Sequence, residues 1–223
     1  MAVTTQFNFK KSQIMAQSQN PMTGKMSGTV GNFVTSSLGS KNIVRTKAFG
    51  RRDAKTESQQ KQRDGFKMVG ELFPMLGSIP HEGFAQRASE SSVYAAFMAA
   101  NLPKAIDKSG EVAALDYANL KVASGTITAP VVKSATLTAQ GITISYLSML
   151  KNELNFANDE MVALALTKMG ELWIERQPRG EELQSTILIP IEDAVVDDVL
   201  GVYLFAKRAD GSKVSNSVFI PLV

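Results

Sequence analysis

Residues 116–222 read as a run of short β segments parted by turn signals, and this spacing constrains the fold more than any other feature. The segments are residues 116–128, SATLTA at 134–139, GITISYL at 141–147, MVALALT at 161–167, GELWIER at 170–176, then 184–191, 200–207 and 213–222. About seven or eight short strands at that spacing make a two-sheet sandwich. Ile142, Ile144 and Tyr146 alternate with Thr143 and Ser145, as a half-buried strand requires. The last two segments are joined by Ala209-Asp210-Gly211-Ser212, and Asp-Gly is a strong hairpin signal.

Ahead of the β-rich half, the sequence predicts two helices. Thr56 to Gln59 reads as a capping box, with Glu57 placed to complement the positive end of the helix. Phe66, Val69, Phe73 and Leu76 then recur at helical spacing, with Gly65 weakening the helix and Pro74 kinking it or ending it early. A second helix is expected from Ser91 or Ser92 to Pro103, and its alanines favour close packing. The connection holds His81, the only histidine, which is read as a surface loop residue because no second His or Cys exists to complete a metal site.

Charge divides the chain. Residues 1–67 hold 12 of the 24 Lys and Arg against three acids, so a basic front precedes an acidic body. Residues 1–26 are rich in Gln, Ser, Thr, Asn and Met, too polar to offset their own ordering entropy unless they lie on another surface. Residues 27–46 read as a loose β-hairpin, with 36–41 as its loop and Gly39 at the bend. A phosphate-binding loop would need the GK[ST] ending, which the stretch lacks. The electrostatic contacts of this front are assigned to Lys41, Arg45, Lys47, Arg51 and Arg52.

The sequence holds no recognisable catalytic constellation. With no cysteine there is no disulfide, thiolate metal site or cysteine nucleophile. No GxSxG motif occurs. Glu192, Asp193, Asp197 and Asp198 lack the acidic spacing and central glycine of a calcium loop and read as a solvated turn. Trp173 reads as core of the sandwich. No apolar run is long enough to span a bilayer, and the first residues lack the pattern of a signal peptide, so the mature protein is expected to begin near Met1.

SGTVGN at 27–32, the later Gly39 and Arg45, the TxxQxxxRxxF pattern of Thr56, Gln59, Arg63 and Phe66, then Asn101, Ala105-Ile106 and Asp116-Tyr117 carry a resemblance. Together they resemble a family of unknown function found in Bacteroidota genomes and their phages and prophages. Members often carry an aromatic-Lys-Gly element where this chain has Ser37-Leu38-Gly39. The resemblance implies a phage-like setting and carries no activity.

The expectation is an α+β protein in three parts: a basic extended arm with a β-hairpin (1–55), a helical hairpin (56–114) and an immunoglobulin-like β-sandwich (115–223). The expected role is non-enzymatic, without cofactor or metal: a phage or prophage virion component, placed in a ring, connector, tail or capsid decoration. Its partners would be further copies of itself and other virion proteins, without a membrane, and it would assemble in the host cytoplasm. Two other roles follow from the same residues: nucleic-acid contact through the basic segment, or a surface or carbohydrate-binding module using Trp173.

Overall fold

The structure is a computed structural model that describes residues 15–18 (as backbone), 24–48, 50, 53–148, 154–191 and 198–222. The chain divides into two compact units, Met1–Ala54 and Lys55–Val223.

The first unit is one antiparallel sheet. Strands β1 (Met15–Ser18), β2 (Gly28–Val30), β3 (Phe33–Leu38) and β4 (Lys41–Thr46) lie in the order β1-β4-β3-β2. The loose loop expected over 36–41 is a two-residue turn, Gly39-Ser40, closed by the pair Leu38 and Lys41. Gly39 at φ +61° takes the first turn position, where a left-handed backbone matches the twist of the flanking strands. Ser36 and Ser37 therefore stay in the ladder, opposite Ile43 and Asn42. Asn42 gathers the edge: its Oδ1 accepts from Met26 N at 3.1 Å and from Ser37 Oγ at 3.0 Å, and its Nδ2 donates to Gly24 O at 2.6 Å.

The second unit begins with helices α1 (Glu57–Met75), α2 (Ile79–Gly83) and α3 (Val93–Asn101). Thr56 caps α1, its side chain accepting from Gln59 N at 3.4 Å, and Ser92 caps α3 by accepting from Ala95 N at 3.1 Å. Pro74 lies in the last turn of α1, where it withholds the amide that would donate to Gly70 O, and the helix ends one residue later at Met75. Gly65 is buried, and a Cβ there would stand 3.2 Å from Ile106, so the helix is weakened where the chain must come close. Phe73 packs edge-on to Tyr94 and Phe97, joining α1 to α3. A two-stranded ribbon, β5 (Ile106–Asp107) with β6 (Ala114–Leu115), follows.

Seven strands then form two stacked antiparallel sheets, so the molecule is α+β with a β-rich body. One sheet has the order β11-β8-β7, from β7 (Val131–Thr138), β8 (Gly141–Leu147) and β11 (Gln184–Ile189). The other has the order β10-β9-β12-β13, from β9 (Glu160–Thr167), β10 (Leu172–Pro178), β12 (Val199–Lys207) and β13 (Val218–Ile220).

Strand β9 explains the layering. MVALALT has no polar alternation because both its faces are covered, a pattern typical of a central strand. Met161, Ala163 and Ala165 meet Ile142, Ile144, Tyr146, Ile187 and Ile189 of the other sheet. Val162, Leu164 and Leu166 meet the helices through Val69, Leu72, Leu76 and Phe97. Alanines face the bulky isoleucines and leucines face the helices, so volumes match on each side. Each fully buried Leu, Ile or Val contributes about 1.5–3 kcal/mol relative to exposure. The helices thus share their core with β9 and β12.

Two segments depart from the sequence reading. Residues 116–128 form no named strand: Asp116 Oδ1 accepts from Ala118 N at 3.0 Å and starts a 3-10 turn at Tyr117–Asn119. A side-chain bond to the local backbone there replaces a ladder. Residues 213–222 pair over less length than expected, with single bridges from Val214 to Lys207 and from Ser215 to Ile127, and then β13. The Asp-Gly turn is present, with Gly211 N donating to Arg208 O at 2.8 Å.

Candidate assembly interface and buried charge clusters

In the N-terminal sheet the cross-strand pairs set the faces. Val34 stands opposite Arg45, Ser36 opposite Ile43 and Leu38 opposite Lys41, so Val34, Leu38, Ile43, Lys41 and Arg45 share one face. Lys41 and Arg45 make no ion pair among the described residues. Lys47 follows the strand, exposed, its amide donating to Asn32 O at 2.7 Å. Arg51 and Arg52 lie outside the described residues. Among the described side chains of this sheet, which leave out those of β1, only Thr35 and Asn42 are buried, while Val30, Phe33 and Leu38 are more than half exposed.

The body carries two ion clusters that link distant parts of the chain. In the first, Glu82 on α2 receives Arg176 Nη1 and Nη2 of β10 at 2.8 and 2.7 Å and Lys207 Nζ of β12 at 2.8 Å. Glu160 of β9 joins at 3.2 Å from Arg176 and 2.9 Å from Lys207. Hydrogen bonding from Arg176, aided by Lys207 and opposed by burial, holds the Glu82 carboxyl at about 2 rather than its ordinary 4.5. Sequence reasoning passed over Glu82 in favour of its neighbour. His81 is exposed and lies on α2, not in a loop, with its ring 6.0 Å from that of Phe73.

A pH prediction follows from Glu82. Its folded value lies below the unfolded one, so its contribution is present above about pH 4.5 and is lost as pH falls towards 2. With side chains 19–31% exposed, solvent reduces the effect. About 2 kcal/mol remains as a working figure. Urea melts at pH 5 and pH 2.5 should show wild type losing about that much more than Glu82→Gln. Equal losses would remove Glu82 from the acid response.

In the second cluster Asp159, fully buried, stands between Arg179 at 3.6 Å, also fully buried, and Arg208 at 3.0 Å. Arg179 Nη1 donates to Ser148 O, and Arg208 lies 4.1 Å over the Phe156 ring. Burial pushes the Arg179 guanidinium below its ordinary value. Tyr203 donates to Tyr117 O at 2.8 Å, and burial pushes its hydroxyl up.

The motif residues sort into structural duties. Thr56 caps a helix, Asn101 is buried and binds Phe97 O, Lys121 O and Lys121 N, and Asp116 caps the 3-10 turn. Trp173 corrects the core reading: it lies on the edge strand β10 and is 37% exposed, because a neighbouring strand covers it on one side only. Of the acidic loop, Glu192, Asp193 and Asp197 lie outside the described residues, and Asp198 is exposed. Among the described residues no group of three His, Asp or Glu could hold a metal ion, and no helix is long and apolar enough to cross a membrane.

Compared with known proteins, the chain matches no curated protein and no solved structure. One family model does match, over residues 24–221, so the match takes in the basic sheet from Gly24 onward as well as the body. On that coverage the chain belongs to a family of unknown function, DUF6266.

Proposed function

We propose that this protein is a non-enzymatic assembly protein that joins a multi-copy structure through its N-terminal sheet. The carrying observation is how little apolar surface that sheet buries among the described residues. Among the described residues the buried side chains of its strands are the polar Thr35 and Asn42, and the exposed Val30, Phe33 and Leu38 contribute little against the entropy of ordering them. A covering surface supplies what the sheet lacks. Charge supports the same reading: Met1–Ala54 carries eight Lys and Arg against one Asp, whereas Lys55–Val223 carries 16 against 20 acids.

The body supplies a rigid support, and we read its sandwich as immunoglobulin-like. In support, β12 pairs with β9 across the intervening β10 and β11, and β11 returns to β8, a Greek-key connection. The setting is a phage or prophage virion with other virion proteins as neighbours, supported by the motif resemblance. A second reading, nucleic-acid contact, is favoured by Lys41 and Arg45 on one strand face. It requires binding that falls steeply with salt and has no sequence preference.

The test is solution mass by light scattering, for the full chain and for residues 53–223, across a salt series. A defined oligomer for the full chain and a monomer for the truncation is the expected result. Equal masses would sink assembly through the sheet, and a low-salt duplex shift would then favour the second reading.

A further inference from the structure

We draw no further inference here: the strongest candidate, the surface patch where Phe66 on α1 and Tyr94 on α3, its hydroxyl beside Gly70, are each nearly half exposed, is an apolar helix face and nothing in the structure shows what covers it.

Discussion

Asp159→Asn should destabilise the body by about 3–5 kcal/mol, because it leaves two guanidinium groups without their shared anion. Arg179 and Asp159 have no exposed side-chain surface, and Arg208 has 18%. Arg179 Nε and Nη2 have no hydrogen-bond partner, so attraction to Asp159 is their main compensation for lost water. Asp159 Oδ2 also accepts from Phe156 N at 2.9 Å, which shapes the turn ahead of β9. Asparagine can keep that bond while removing the charge, and Asp159→Ala removes both, so alanine should cost more. Trp173, the only tryptophan, lies in the same unit and reports unfolding in urea. A loss under about 1 kcal/mol for the asparagine variant would show that the cluster is compensated in another way.

Gly141→Ala should cost about 3–5 kcal/mol by a different route. Gly141 opens β8 at φ +129°, a backbone that L side chains rarely adopt. A Cβ there would stand 2.0 Å from Ile189 O and 2.8 Å from Ile191 N, both backbone atoms at the end of β11. Neither can swing aside as a flexible side chain would. The two strands must separate or the turn must rebuild, and either disturbs the ladder from Gln184–Leu147 to Ile189–Ile142. The same urea melt measures it, and a change below about 1 kcal/mol would mean that the turn absorbs the methyl.

The cap at Thr56, the strands GITISYL and MVALALT and the Asp-Gly turn were legible in the sequence because each depends on residues a few positions apart. Hydrogen bonds of that reach follow from local geometry. The misses have the opposite character. Trp173 was read as core from its residue type, yet its exposure depends on β10 being an edge. Residues 116–128 have strand-like composition, but the Asp116 cap captured the local amides.

Residue order alone determined many of the local elements and turns, the charge imbalance between front and body, and the absence of thiol chemistry. Tertiary structure decided what those pieces meet. Glu82 finds Arg176 across 94 positions and Lys207 across 125, and only the stacking of β9 between helices and a second sheet brings them together. It also decided that, among the described residues, the basic sheet buries only the side chains of Thr35 and Asn42. Local bonds are written in adjacent residues, whereas burial is a property of whatever surface finally covers them.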